Sequence, residues 1–271
     1  TSTPTAQVPT PPAEESSDPP HPEINRLPNM GDEQFGPGMT YTAEEDQENT
    51  VVTVDETKEI IPQLQSYYEQ NSDLRGWLTV PGTGFGYPVM KTVSPYDYYL
   101  HHNFSRQSDA VGIPFIGEGC DAGDMNVLIH GHNMNGVLQF GYIWNYQYPS
   151  FREKNPYIDF KSLYDEDGSY EVMAVFFAPV YPEEAEGVFK WYQYVGDMNK
   201  AQFDYYVENV KASSLYDTGV TAAYGDKLIT LETCADSKTN TRLVVVARKQ
   251  AAQNAQEAAV TAAEAGIEQL Q

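Results

Sequence analysis

The segments Thr230–Cys234, reading Thr-Leu-Glu-Thr-Cys, and Arg242–Val246, reading Arg-Leu-Val-Val-Val, decide the fold class and the chemistry of this chain. Each has the apolar and β-branched character of a buried strand. A hairpin-like return between them would bring the Cys234 thiol and the Arg242 guanidinium to the same edge of a sheet. A nearby cation lowers the pKa of a thiol, so the pattern predicts a nucleophile. The alternative for Cys234 is a small buried residue in a strand.

A second apolar segment ends in histidine. Residues 126–134 pass from Asn126-Val127-Leu128-Ile129 into His130-Gly131-His132, and Gly131 allows a tight exit from a strand. Imidazole at a strand end is the proton carrier that a thiol acyl-transfer site requires, whereas the alternative for His132 is a solvated loop residue. Two histidines in alternation can also bind zinc. No further Cys or His in the sequence completes such a site, and we expect neither a metal nor a cofactor.

The residues around Cys234 leave several interpretations open. Glu232 stands two positions before Cys234, so in a regular strand both side chains share a face. A carboxylate there would raise the thiol pKa by repulsion unless Arg242 or another cation compensates it. Glu232 could instead face solvent or bind a polar substrate group. Arg242 could cap its strand with the charge in water, or stabilise a developing oxyanion.

Composition excludes two classes of partner. The chain of 271 residues carries a net charge of −23, and nucleic-acid binding needs clustered Lys and Arg. Direct adhesion to an anionic membrane surface is disfavoured for the same reason. No sequence window approaches the roughly 18 apolar residues of a membrane span. The sequence begins at Thr1 without an initiator Met, and we expect a leader or anchor before it.

Three regions follow from the patterning. Residues 1–53 are rich in Pro, Thr, Ser and acidic residues and predict a disordered, extended linker. Residues 54–249 contain the strand and helix patterns of a folded domain. Residues 250–271 are rich in Ala, Gln and Glu and predict a helical tail. The two cysteines, Cys120 and Cys234, read as one disulfide or as two thiols, and we predict that they are not paired.

Short strands dominate the folded region. Helical spacing of Ile60, Ile61 and Leu64 predicts an N-terminal helix, and a second amphipathic helix is predicted at 198–213. Strands are predicted at 76–80, 87–90, 112–116, 127–130, 170–178, 227–233 and 242–247. Many short strands with few helices favour a mainly β fold, either a barrel or a sandwich that carries helices.

These motifs resemble those of the sortases, the cysteine transpeptidases of Gram-positive cell surfaces. The Thr-Leu-x-Thr-Cys signature with a downstream arginine is specific to them, and the similarity extends over about residues 64–249. The stretches at 73–78, 112–115 and 149–157 resemble class B of that family. Two positions depart from the class pattern: Glu232 stands where a small polar residue is usual, and His130 where an aromatic one is frequent. The resemblance implies an eight-stranded β-barrel with an N-terminal helix and a helix before the cysteine strand.

The resemblance also implies a reaction. Cys234 would attack a C-terminal sorting signal of a secreted protein to form a thioester, His132 would carry protons, and Arg242 would stabilise the oxyanion. Asp236, Glu232 and His130 are candidate accessory residues. The implied acceptor is an amine of a peptidoglycan precursor or a pilin lysine, and the implied location is the extracellular face of a Gram-positive membrane, reached through an N-terminal anchor.

Three alternatives to cell-wall anchoring stay open at this point. The first is a sortase that polymerises pilins. The second is a papain-like cysteine hydrolase that releases its product to water, and the third is a surface β domain without catalysis. Retention of a reactive Cys234 and transfer to an added amine would distinguish the first from the other two.

Overall fold

The computed structural model describes residues 57–134, 138–236 and 240–251, with the main chain alone at 134, 138–139 and 234–236. The predicted linker 1–53 lies outside the described residues, as does the predicted tail apart from residues 250 and 251. In the part of the chain that is described, no helix has both the length and the apolar character to cross a membrane.

Eight of the ten strands in the described chain close into a β-barrel. The ten strands are β1 (Leu74–Thr79), β2 (Gly86–Met90), β3 (Phe115–Ile116), β4 (Asn126–His130), β5 (Asn133–Met134), β6 (Leu138–Gln139), β7 (Tyr157–Ser162), β8 (Ser169–Pro179), β9 (Leu228–Asp236) and β10 (Thr241–Lys249). The barrel order is β1-β2-β3-β4-β9-β10-β8-β7, and β5 with β6 forms a separate two-stranded sheet. Neighbours in the barrel are antiparallel except β2 with β3 and β4 with β9. The predicted eight-stranded barrel is confirmed.

Three α-helices accompany the barrel in the described chain: α1 (Pro62–Gln70), α2 (Pro149–Lys154) and α3 (Lys200–Ser213). The predicted N-terminal helix and the predicted helix before the cysteine strand correspond to α1 and α3. A capping box begins α3, because the Asn199 side chain accepts from the Gln202 amide while the Gln202 side chain accepts from the Asn199 amide. The buried face of α3 consists of Phe203, Tyr206, Val207 and Val210.

A buried polar link joins α3 to the two strands that carry the candidate site. The Thr230 hydroxyl donates to Asn126 Oδ1 at 2.9 Å and therefore accepts from the Tyr206 hydroxyl, which lies 2.6 Å away. Asn126 starts β4 and Thr230 lies in β9, so the contact ties these strands together under the helix. A threonine at the first position of the Thr230–Cys234 motif thus satisfies buried polar groups that would otherwise cost free energy.

Two sequence expectations differ from the structure. The strand predicted at 112–116 is limited to β3, because Gly112 has a φ of +58° and the chain turns there. A Cβ on Gly112 would lie 2.2 Å from the Leu100 carbonyl oxygen, so this turn requires glycine. The second difference is that the sequence patterns do not predict α2, β5, β6 or β7. In β7 the signal was present, because Ile158 and Phe160 alternate into the core.

Candidate active site

The ladder between β9 and β10 sets Arg242 directly opposite Cys234 and Val244 opposite Glu232. Thr241 is opposite Asp236, so the register shifts between Thr241 and Arg242 and β9 holds one extra residue at this point. Such a bulge bends a strand and re-aims its side chains. The predicted return from Cys234 to Arg242 is therefore present in the main chain, at the end of the β9–β10 hairpin.

The histidine segment runs alongside the cysteine strand. Strand β4 pairs parallel with β9, with His130 at the register of Glu232. The Gly131 amide then donates to the Glu232 carbonyl at 3.2 Å, which keeps the segment beside β9 after β4 ends. Since the two segments run in the same direction, His132 follows His130 as Cys234 follows Glu232. The three residues predicted to carry the chemistry therefore come from three adjacent strands and their extensions.

His132 is half-buried and oriented by a main-chain contact. Its Nε2 lies 3.0 Å from the Leu100 carbonyl oxygen. A carbonyl oxygen only accepts, so Nε2 donates and Nδ1 is the nitrogen that takes up a further proton. Burial lowers the pKa of His132, and the nearby His101 acts in the same direction, while the Leu100 carbonyl and Glu232 oppose it. The alternative of a solvated loop histidine is wrong.

A buried network fixes the turn that presents the Leu100 carbonyl. The adjacent Tyr99 hydroxyl donates to Asp73 Oδ2 at 2.6 Å and accepts from Asn71 Nδ2 at 2.8 Å. Arg106 completes the network, with Nη2 3.1 Å from Asp73 Oδ2. In the sequence, Tyr98-Tyr99-Leu100 shows only aromatic and apolar character. Nothing in a sequence marks one carbonyl as the partner of a histidine, so this contact could not be predicted.

Glu232 is buried between two basic side chains. It is 2% exposed and Arg242 is 1% exposed; Glu232 Oε2 lies 3.1 Å from Arg242 Nε. The other carboxylate oxygen, Oε1, contacts His130 Nδ1. Burial alone would raise the pKa of Glu232, but His130, Arg242 and His132 outweigh it and lower the pKa. Glu232 is therefore an ionised buried group, and the alternative that it faces solvent is wrong.

Known proteins are similar to this chain in sequence and in fold. No protein-family model matches the chain. Sortase B of Staphylococcus aureus is 29% identical over 191 residues, covering 69% of this chain and 74% of the relative. Sortase B of Listeria monocytogenes is 28% identical over 183 residues, covering 66% of this chain and 70% of the relative. The structure of a Staphylococcus aureus sortase B–substrate complex is 26% identical, with a TM-score of 0.58, and the match covers 71% of this chain and 86% of that one.

The chain is similar to class B sortases in both sequence and fold. These similarities confirm the resemblance stated from Cys234, His132 and Arg242. The catalytic roles of these residues remain predictions, since similarity to the relatives does not test them individually.

The side chain of His130 is enclosed on two sides. Its ring stacks on Phe115, with centroids 5.1 Å apart and an interplanar angle of 29°. Gly117 lies against the far edge of the ring, where a Cβ would come 2.5 Å from Nε2. The absent side chain at Gly117 therefore makes room for the imidazole that contacts Glu232.

We expect Gly117→Ala to destabilise the protein. The added methyl would push the His130 ring away from Glu232, and overpacking of this kind costs about 1 to 3 kcal/mol of unfolding free energy. Urea unfolding of both proteins measures the loss. Gly123→Ala is the matched control, since a Cβ at Gly123 meets nothing within 4 Å. Equal stability of the Gly117→Ala and Gly123→Ala proteins would contradict the assigned crowding.

Cys120 has a different environment from that expected of a nucleophile. Its thiol is free and buried, and its Sγ accepts from the Leu128 amide at 3.4 Å. Burial raises the pKa of Cys120 to about 11, so it remains a thiol at neutral pH. This agrees with the prediction that Cys120 and Cys234 are not paired.

Two further features of the site are the position of Asp236 and the side chains that could hold a metal ion. Asp236 ends β9 opposite Thr241; the structure describes its main chain, so its accessory role stays a prediction. Among the described residues, no group of three His, Cys, Asp or Glu side chains is arranged to hold a metal ion. The two histidines that could have formed a zinc pair have separate partners, Glu232 for His130 and Leu100 for His132.

Tyr96 lies four residues before Leu100. Burial raises the pKa of Tyr96 to about 12, and Asp97, Glu118 and Glu232 act in the same direction. The aromatic run around Tyr96 is visible in the sequence, but the burial of its phenol depends on how the barrel closes.

Proposed function

We propose that the protein cleaves a sorting signal near the C-terminus of secreted proteins and transfers the acyl group to an amine, as in cell-wall anchoring. The observation that carries the proposal is the β9–β10 register, which sets Arg242 opposite Cys234 beside the segment that leads to His132. A nucleophile, a proton carrier and a fixed positive charge are the groups that acyl transfer requires.

The proposed reaction has two halves. The single proton of the Cys234–His132 pair lies on His132 when the Cys234 thiolate bonds to the scissile carbonyl carbon; the carbon–nitrogen bond breaks, and the leaving amine takes that proton from His132. The incoming amine then bonds to the same carbon, the carbon–sulfur bond breaks, and His132 accepts the proton that the amine loses. Because Nε2 of His132 is bound to the Leu100 carbonyl, we assign the transferred proton to Nδ1.

Arg242 is proposed to stabilise the oxyanion in both halves. The guanidinium keeps its charge at every working pH and offers donors in a planar fork. Its burial matters, because charge stabilisation is stronger where water is excluded. Glu232 limits the site's net positive charge before the oxyanion forms, since it already pairs with Arg242.

The proposed partners follow from the family. The Staphylococcus aureus relative is known in complex with a substrate, and by analogy we propose that a sorting-signal peptide binds here. The proposed acceptor is an amine of a peptidoglycan precursor, with a pilin lysine as the other candidate. Residues 54–249 would act as the catalytic domain at the extracellular face of a Gram-positive membrane, with 1–53 as a spacer from an N-terminal anchor and 250–271 as a helical tail.

Mass spectrometry of the protein with a panel of sorting-signal peptides and an oligoglycine or lysine amine tests the proposal. We expect a thioester adduct on Cys234 with at least one peptide, and a peptide–amine product when the amine is added. Cleavage that is unaffected by the amine would indicate a papain-like hydrolase instead. The absence of any adduct across the panel, together with no alkylation of Cys234 by a mild thiol reagent, would indicate a surface domain without catalysis.

A further inference from the structure

Two of the candidate accessory residues contact each other inside the barrel wall. His130 and Glu232 occupy the same register of the parallel β4–β9 pair, and His130 Nδ1 contacts Glu232 Oε1. Neighbouring strands therefore hold a carboxylate and an imidazole as one contacting pair.

The Glu232–His130 pair reaches the proposed oxyanion residue. Arg242 is diagonal to Glu232 across the antiparallel ladder, and its Nε lies 3.1 Å from Glu232 Oε2. Diagonal neighbours lie within reach of long side chains. This contact is a charge pair and not a directional hydrogen bond, because Glu232 Oε2 has no hydrogen-bond partner among the described residues. Nε is the guanidinium nitrogen nearest the stem, so the pair draws the base of the fork toward Glu232, while Nη1 donates to the Thr241 carbonyl at 3.4 Å.

The burial of these groups makes the arrangement costly to disturb. Glu232 and Arg242 are almost fully enclosed, and removing one partner of a buried ion pair leaves an uncompensated charge. His130 is itself held between Phe115 and Gly117. A buried carboxylate that contacts a side chain on each side cannot rotate toward water. It therefore holds an arginine in place more rigidly than a solvent-exposed carboxylate does.

We propose that Glu232 is a positioning residue for Arg242 and that His130 positions Glu232 in turn. The inference rests on the proposed function, since it assumes that Arg242 meets the oxyanion. The three side chains form one unit: His130 fixes the carboxylate, the carboxylate fixes the guanidinium, and the fork is held toward the register of Cys234. The expected consequence is on the transition state, where the oxyanion exists, rather than on substrate binding.

The first test is Glu232→Gln in two backgrounds. With Arg242 present, we expect kcat to fall by about 10- to 100-fold, because glutamine lacks the charge that attracts the buried guanidinium, with little change in KM. In the Arg242→Lys background, the lysine side chain has no guanidinium whose orientation Glu232 could fix. Glu232 instead attracts the lysine ammonium toward itself. Glu232→Gln is then expected to leave kcat unchanged or to raise it. A purely structural role would lower kcat equally in both backgrounds.

Glu171→Gln is the matched control. Glu171 is also a carboxylate between two basic groups: its Oε1 lies 3.5 Å from Arg152 Nη2, and its Oε2 lies 3.7 Å from Arg248 Nη2. Arg248 belongs to the same strand as Arg242 but lies near its other end. We expect Glu171→Gln to keep the wild-type kcat. An equal loss in Glu171→Gln would mean that any broken ion pair on β10 reduces activity, and would overturn the inference.

Substitutions at His130 test whether His130 positions Glu232. They leave both Glu232 and Arg242 unchanged. Asparagine can place its side-chain amide near the position of Nδ1 and donate to Glu232, whereas phenylalanine cannot. We expect kcat to fall in His130→Phe and to recover substantially in His130→Asn, at matched thermal stability. If both variants match the wild type, His130 does not position Glu232.

Failure of this inference is distinguishable from failure of the proposed function. If Cys234→Ala is inactive while Glu232→Gln turns over like the wild type, the function stands and the positioning role is wrong. If Cys234→Ala retains transpeptidation, the proposed function itself is wrong. Should Glu232→Gln fail to fold, the His130 pair of variants decides the question.

Discussion

Cys234→Ala is expected to abolish transpeptidation and to leave the barrel folded. The substitution removes the only sulfur atom proposed to bond to the acyl carbon. Loss of the nucleophile from a protease catalytic triad lowers kcat by at least about 10⁴-fold. The main-chain pairing of Cys234 with Arg242 does not depend on the thiol, so alanine can occupy the same ladder position. Product formation from a sorting-signal peptide and an amine, followed by mass spectrometry, measures the loss.

Cys120→Ala is the control that the chain itself provides. It removes the other cysteine, whose thiol is buried in the core. We expect it to lower stability through the small cavity it creates while turnover persists, because that thiol stays protonated at neutral pH. Turnover that survives Cys234→Ala but disappears in Cys120→Ala would reverse the assignment of the nucleophile.

The positions of Cys234, Arg242 and His132 in the fold could be predicted because each is tied to a strand end. Apolar β-branched runs mark β4, β9 and β10 in the sequence, and strand ends are where a sheet exposes functional side chains. The pairing of Arg242 with Cys234 follows from a short antiparallel return. The parallel pairing of β4 with β9 does not, since these strands are far apart in sequence and their adjacency depends on how the barrel closes.

What the sequence could not reveal is the partner of each buried polar atom. Glu232 could face solvent, substrate or a cation on sequence grounds, and only the register of three strands shows that it meets both His130 and Arg242. The Leu100 carbonyl is hidden for a related reason: every residue has one, and its role depends on the turn that Tyr99 and Asp73 hold in place. Glycine at 117 is likewise explained only by the imidazole beside it.

His132→Ala is expected to abolish both halves of the reaction. Without the imidazole the leaving amine receives no proton and the incoming amine keeps its own, and each positioned proton transfer contributes about 10²- to 10⁴-fold. The fold should persist, because His132 follows the end of β4 and lies outside the barrel strands. Activity retained in His132→Ala, at wild-type stability, would show that another group carries the proton.

The pH dependence of the wild type should report the same residue. The active thiol–imidazole pair carries one proton, so activity is lost when His132 takes up a second one from acidic solvent. Burial holds the pKa of His132 below the ordinary value of 6.5, and the acid limb of kcat/KM is therefore expected below pH 6.5. The lowered pKa also means that the unfolded chain binds this proton first, so stability declines as pH falls from 6.5 through the folded-state pKa. NMR titration of the His132 ring in Cys234→Ala gives its pKa directly, because no thiol at position 234 then titrates together with the imidazole. A ring that titrates at or above 6.5 would contradict the burial and the contact with Leu100 as the determinants of its charge.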